Sequence, residues 1–387
     1  MSVRGEKMHQ LPNFIDLQKI SETSYMLTNN VTQTYIKIGN IEAQYLLDIY
    51  IGQDTTSNFL SKEQQQFLRE NYEELGFLSE EKSIELSRKK RKSELSRIYL
   101  FRMNPSNLLS KNKWLYTGKY IPMILSILLT IVIVGMAILF LNINEWLSTV
   151  NFSKVNIGII ISMYILITLT ILIHEAAHAI LCYRFGGKVK EVGVMFIYLS
   201  LAFYCDISSI YLFKKKRHKL LVLLGGVFSQ IILICISSIL CSILFSQGKN
   251  IDLLIYYIGF NVISIILNLS PIIKLDGYWI LVQLTNITNL REKSVKYLLS
   301  FQGREYKEYR NKFNVTEKTI LFIYGLVSSM GILGIWLYSI YYLNKLTKIY
   351  IDQWSIYVVI TWSIIIIYHV IKKLVKYQRI LKNDIAF

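Results

Sequence analysis

The sequence predicts an α-helical polytopic membrane protein with six transmembrane helices and a re-entrant hairpin, preceded by a small N-terminal winged-helix-like α+β domain. Three observations predict it. Hydrophobic residues fill 53% of the 387 positions, with a mean hydropathy of +0.37; six windows are long enough to cross about 30 Å of hydrocarbon; and the lysines and arginines gather unevenly at the ends of those windows. A soluble enzyme of this length is less apolar. The formal net charge of +17 raises the question of nucleic acid, but cations flanking apolar segments meet anionic headgroups instead, so no nucleic-acid partner is expected. Cys182, Cys205, Cys235 and Cys241 lie in or beside apolar segments, with neither a disulfide framework nor a CxxC knuckle. They suit the reducing cytoplasmic side as small apolar filler. No cleavable signal peptide is expected, because the first 95 residues are polar and carry no long apolar core.

Residues 1 to 80 predict the soluble domain. "SYMLTNNVTQTYIKIG" reads as two short strands around a turn at Asn29 and Asn30. Asn40 is placed to cap a helix with Ile41, Tyr45, Leu46 and Ile49 on one side. Ser61 and Gln64 form a capping box, Leu68, Tyr72 and Leu75 supply an apolar stripe, and Gly76 ends that helix. Residues 81 to 119, with "SRKKRKSELSR", predict a basic connector at the inner membrane surface. The membrane domain follows over 120 to 372, and residues 373 to 387 form a basic cytoplasmic tail.

The expected spans lie near 120–142, 157–183, 220–246, 253–272, 319–342 and 353–371. A further apolar stretch, 192–213, contains Asp206 and several hydroxyl side chains. With six spans and the N-terminus inside, the outer loops hold only Lys154, Lys249, Lys345 and Lys348. Arg184, Lys188, Lys190, the run "KKKRHK" at 214–219 and the cations after Arg291 and after His369 then fall inside. Letting 192–213 cross would put the dense clusters outside, against the positive-inside rule. That stretch is therefore expected to dip into the inner leaflet as a re-entrant hairpin, where non-helical backbone must be buried in protein or line a wet cavity. Both termini face the cytoplasm.

Chemistry concentrates in "ILIHEAAHAIL", residues 171 to 181. Ionisable side chains in hydrocarbon are costly and mark a site or a pathway. His174 and His178 are four apart, so a helix presents them on one face, a turn apart, where they can share one metal ion. Glu175 stands beside them. Two neutral imidazoles that hold Zn²⁺, with an adjacent carboxylate as general base, form the zincin arrangement. Counting back from Arg184 at 1.5 Å per residue places His178 about 9 Å and His174 about 15 Å below the inner surface.

A catalytic zinc needs a third protein ligand. His9 lies in the soluble region, His218 in a basic run, and His369 near the end of the last span, where an interfacial role suits it. Asp276, in "NLSPIIKLDGYW" at 268–279, is better placed: Pro271 should break the helix there and aim Asp276 into a cavity. The alternative for Asp276 is pairing with Lys274 or a helix end at the interface. Cys205 and Asp206 either line the site through the hairpin or pack at the interface. Gly225 and Gly226 read as contacts for close helix packing.

"HEAAHA" together with "NLSPIIKLDGYW" resembles the site-2 protease family of intramembrane zinc metalloproteases, over roughly residues 120 to 300. The resemblance implies His174, His178 and Asp276 as ligands of one Zn²⁺ per chain, Glu175 as general base, and Asn268 as the residue that helps hold substrate or the oxyanion. "FYCDISS", "LLGG" and "DGYWILVQL" followed by "NLREKS" resemble a bacterial branch of peptide zinc metalloproteases found with modified-peptide gene clusters. There an N-terminal winged-helix-like domain similar to the precursor-recognition domain often precedes the protease. Gln230 stands where the common family pattern has asparagine, and no role is carried to it.

The expected function is an intramembrane metalloendopeptidase acting on a membrane-associated or ribosomally synthesised precursor peptide, with a peptide exporter or a modifying enzyme as further partners. Substrate must present extended backbone, and a strand of the 192–213 hairpin can hold it by strand addition. The rival is a non-proteolytic membrane component of peptide export or immunity that retains a zinc site. Loss of cleavage with Glu175 separates the two.

Overall fold

The computed structural model describes residues 11–32, 34–52, 59–92, 97–105, 111, 118, 121–150, 156–197, 200–303, 306–351 and 354–386. His9, Lys154 and parts of the basic connector lie outside the described residues. The chain divides into two compact units, residues 1–262 and 263–387.

The first unit begins with three antiparallel strands, β1 (Ile15–Ser21), β2 (Ser24–Asn29) and β3 (Thr34–Gly39), in the order β1-β2-β3. The sequence reading found β2 and β3 but not β1. A register shift between Lys19 and Ser21 breaks its alternation, so only Ile15 and Leu17 show the inward period. Helices α1 (Asn40–Ile51), α2 (Lys62–Glu74) and α3 (Glu80–Lys92) follow. The helix cap is Gly39 rather than Asn40: the Gly39 amide donates to Glu42 Oε2 at 2.7 Å. Helix α1 buries Ala43, Leu46 and Leu47, while Ile41 is exposed. The Ser61–Gln64 capping box forms in both directions, at 3.2 and 3.0 Å. Gly76 follows α2 with φ +77°, the left-handed turn that favours glycine. Leu75 is exposed, so Tyr72 and Leu68 carry the α2 stripe into a core with Tyr25, Leu27, Leu47 and Phe77.

Asn29 organises this module. Its side chain accepts from the amides of Val31 and Thr32, both at 2.9 Å, and donates to the Gly76 carbonyl at 2.8 Å and Ser83 Oγ at 2.9 Å. Ser83 lies in α3, so the module continues past the expected boundary at residue 80.

A second antiparallel sheet, ordered β4-β5-β6, joins β4 (Arg97–Met103) to the hairpin β5 (Val192–Ile197) and β6 (Ser200–Cys205). Strand β4 falls in the segment expected to be a connector. Its partner lies about ninety positions away, beyond the reach of local pattern. Arg102 fastens the pairing: it lies over the Tyr99 ring and its Nε is 3.4 Å from Glu191 Oε1, which also accepts from the Tyr204 hydroxyl. The described residues of the stretch 192–213 thus form a hairpin and a short 3₁₀ turn, Ser208–Leu212, and among them there is no crossing helix.

Tyr35 on β3 touches the base of this hairpin. The Lys190 ammonium is 4.5 Å from its ring centroid and the Tyr211 ring 6.4 Å. Burial first, then the charge of Asp206, push the Tyr35 phenol up to about 12.

Among the described residues, six helices are long and apolar enough to cross a membrane. They are α4 (Ile121–Thr149), α5 (Ile157–Arg184), α6 (Lys216–Ser246), α7 (Asp252–Leu269), α11 (Val315–Ile351) and α12 (Ser355–Ala386). All six expected windows are found among them, which makes this a multi-pass membrane type of fold. Helix α6 packs on both α4 and α5. Small residues allow this approach: a Cβ on Gly135 of α4 would strike the Cys235 main chain of α6. Tyr257 on α7 shares a hydrogen bond of 2.5 Å with Thr170 on α5.

In the second unit, α7 ends at Leu269 and an irregular turn carries Pro271. The short helices α8 (Asp276–Thr285), α9 (Leu290–Leu299) and α10 (Lys307–Asn311) precede α11. The break at Pro271 is the expected one, since proline cannot donate to the carbonyl four residues earlier. Tyr324 of α11 donates to the Pro271 carbonyl at 2.9 Å. A Cβ on Gly277 would run into the Leu269 main chain, so only glycine lets the chain fold back there. Tyr278, Val282, Leu290, Tyr297 and Leu321 form the core beneath.

Candidate metal centre

Helix α5 is started by Asn156, whose side chain accepts from the Ile159 amide at 2.9 Å, and closes with Arg184 in its last turn, where a cation suits the helix dipole. His174 and His178 are buried on one face of it. Their rings meet edge to face with centroids 4.8 Å apart, and their Nε2 atoms are 3.1 Å apart. Two nitrogens held about 2.0–2.1 Å from one ion in tetrahedral geometry are separated by about 3.3 Å. The pair thus stands close to the spacing a shared ion requires.

The His178 tautomer follows from its other nitrogen. Nδ1 lies 2.7 Å from the carbonyl of Val222 on α6. A carbonyl only accepts, so Nδ1 carries the proton and Nε2 presents its lone pair. This is the outer-shell bond that fixes metal-ligating histidines in place. The His174 ring is seated by Gly226 of α6, where any Cβ would overlap it. Gly225, one residue earlier, faces Leu181 and the Ala177 carbonyl.

Asp276 is the first residue of α8, immediately after the Pro271 turn, and is half-buried. His174 and His178 belong to the first unit and Asp276 to the second, and these three make up the candidate ligand group. Two imidazoles and a carboxylate are a donor set for a divalent transition ion, and the residues fit such a group.

Glu175, half-buried, is next to His174 on α5. Strand β6 packs against α5, the helix that carries Glu175. Asp206 is engaged in the turn: its carboxylate accepts from the Ser208 amide at 2.9 Å and from the Ser208 hydroxyl, starting the 3₁₀ segment. It is not part of the three-residue ligand group. Asn268 sits half-buried in the last turn of α7. His218 stacks on Phe185 at 4.3 Å, and His369 Nδ1 bonds the Ile365 carbonyl at 2.9 Å; neither joins the group. The four cysteines are free thiols, as expected.

Sequence reasoning missed the Val222 carbonyl and the Thr170–Tyr257 bond, and read Gly226 as helix packing without its histidine. A main-chain acceptor leaves no trace in residue identity. The stacking of Thr170, His174 and His178 at intervals of four was the one available signal for Thr170.

Comparison with protein-family models, curated proteins and solved structures finds no match to this chain.

Proposed function

We propose that this protein is an intramembrane zinc metalloprotease, similar to site-2 proteases, that hydrolyses a peptide bond of a membrane-associated or ribosomally synthesised precursor peptide. The observation that carries the reading is the facing pair of buried imidazole Nε2 atoms, 3.1 Å apart on one helix face. His174, His178 and Asp276 would hold the ion. When bound, Zn²⁺ supplies Lewis acidity toward a peptide carbonyl and lowers the pKa of water. Glu175 takes the proton of the attacking water and delivers it to the leaving amine. Asn268 helps orient the substrate carbonyl, a role that rests on the family resemblance.

Extended substrate backbone is held by strand addition at β6, which lies at one end of the β4-β5-β6 order and packs on the helix that carries Glu175. The β5–β6 hairpin is re-entrant from the cytoplasmic side, and both termini are cytoplasmic. An even number of apolar helices and the inward bias of cations support this orientation. Residues 1–80 belong to a winged-helix-like module that recognises the precursor, with β3, an end strand of its sheet, as the docking edge.

The test is Glu175→Gln, which keeps the shape of the side chain but cannot take a proton. Precursor mass is followed in cells expressing each variant at matched level. Cleavage should fall by about 10²–10⁴ while zinc content stays at about one ion per chain. Unchanged processing would overturn the assignment and favour a non-proteolytic role in export or immunity. Orientation is tested separately by cysteine labelling at 214–219, which should require permeabilised membranes.

A further inference from the structure

The registers of the β4-β5-β6 sheet sort its side chains by face. Val194 on the central strand stands opposite Phe101 of β4 and Phe203 of β6, and Val192 stands opposite Met103 and Cys205. Residues directly opposite share a face, and neighbours along a strand alternate. Val192 and Val194 are two apart, so these six residues lie on one face and none is charged. The other face carries Met195 with Tyr99 and Ala202, and Gly193 with Arg102 and Tyr204. Among the described side chains of the three strands the charge is that of Arg102, on this second face. It is already engaged: the guanidinium lies over the Tyr99 ring, and its Nε is 3.4 Å from Glu191, which also accepts from the Tyr204 hydroxyl.

The apolar face is open at β4. Phe101 and Met103 are 54% and 37% exposed, and Leu100, at the register shift before Phe101, is 55% exposed. An apolar edge strand left in water is an aggregation site, so its occupant is apolar. Position says which. Strands β5 and β6 join α5 to α6, and β4 precedes α4, all three being helices of membrane-crossing length. Ser209, just past β6, fixes the sheet to the end of α5 that carries Arg184: its Oγ is 3.3 Å from Cys182 Sγ and accepts from the Lys188 amide at 3.0 Å. Exposed cations surround that end, Arg184 and Lys188 on one side and the run Lys214 to Arg217 on the other, with His218 stacked on Phe185 between them. Such cations meet lipid headgroups. We propose that this sheet lies in the leaflet at the Arg184 end of α5, with Phe101 and Met103 of β4 among the acyl chains and the Arg102–Glu191–Tyr204 cluster turned toward the headgroups. Interfacial helices divide their faces in the same way. Strand β4 thereby anchors the chain to lipid between the N-terminal module and the first crossing helix. This lipid face builds on the re-entrant reading of the 192–213 hairpin and adds a strand that lies outside it.

The test uses the full chain reconstituted in vesicles of phosphatidylcholine and phosphatidylglycerol. Photoreactive benzoylphenylalanine replaces Phe101, Met103, Phe203 or, on the opposite face, Tyr99, one position at a time. After irradiation, lipid adducts are read by mass spectrometry of the protein. The Phe101 and Met103 positions should each yield acyl-chain adducts, and the Tyr99 position none. Because Phe101 and Met103 are read separately, a misfolded variant at one leaves the other to decide. Lipid adducts at the Phe203 position with none at Phe101 and Met103 would overturn the β4 anchor and leave the re-entrant hairpin standing, whereas none at all three would overturn both. Equal adducts at Tyr99 and Phe101 would overturn the two-faced arrangement. Crosslinks from the Phe101 and Met103 positions to protein alone would replace the lipid by a second copy or another chain.

Discussion

Helices α5 and α6 pack side by side and divide the candidate metal centre unequally. Helix α5 carries the reactive side chains His174, Glu175 and His178, yet only 11% of its most apolar window is buried; α6 carries none, and half of its window is buried. What α6 contributes is a carbonyl at Val222 and an empty place at Gly226. Ionisable side chains are rare in apolar helices because they are costly there, so they stand out in a sequence. The residues that hold them are a valine and a glycine, which stand out nowhere. The difference teaches that in this protein chemistry and positioning are assigned to different helices.

That division can be broken from either side. The largest effect should come from the ligands: His178→Ala and Asp276→Ala should each reduce zinc from about one ion per purified chain to a small fraction, because two donors do not hold a catalytic ion. Elemental analysis decides it, and full occupancy in Asp276→Ala would remove Asp276 from the ligand set. Next comes Gly226→Ala on the supporting helix. Its methyl group must displace the His174 ring, and zinc affinity measured by competition with a chelator should fall about 10–100-fold, the range for lost outer-shell support. An affinity equal to wild type would show that α6 does not position the histidine.

Gly225→Ala sharpens the same comparison. Its methyl group meets chiefly Leu181 Cδ1, at 2.7 Å, the end of a flexible side chain. Zinc affinity should change less than for Gly226→Ala, and a reversed order would contradict the seating of His174. Smaller still, Thr170→Val removes the bond to Tyr257 and should lower stability by about 0.5–1.5 kcal/mol, seen as an earlier thermal midpoint with zinc content unchanged. The control of no effect is Glu145→Gln, exposed near the end of α4. Glu191, a glutamate outside the motif, is unsuited to that purpose because Tyr204 and Arg102 both engage it.

The six apolar helices were legible because each needs about twenty apolar residues in a row, a signal that few other structures produce. The histidine pair was legible because its spacing equals one helical turn. The break at Pro271 followed from the missing amide. Strand β4 was not legible: "RIYLFRM" sits in a basic segment, and its partner β5 begins at Val192. The role of Asp206 was open in the sequence, and the structure occupies its carboxylate with Ser208. Pattern captures what a residue does with its own neighbours along the chain and loses what it does across a fold.

The bond from His178 to the Val222 carbonyl carries a consequence for how this site can vary. Its acceptor belongs to the backbone, so replacing Val222 by leucine or isoleucine leaves the oxygen where it was. Residue 222 is thus free to drift among side chains that fit the packing, and the protonation pattern of His178 is inherited through all of them. What would change it is a turn or slide of α6 about its axis, since consecutive carbonyls differ by about 100° in direction and 1.5 Å in height. Insertion or deletion of one residue between Lys216 and Val222 is therefore the lesion to which the imidazole is most vulnerable.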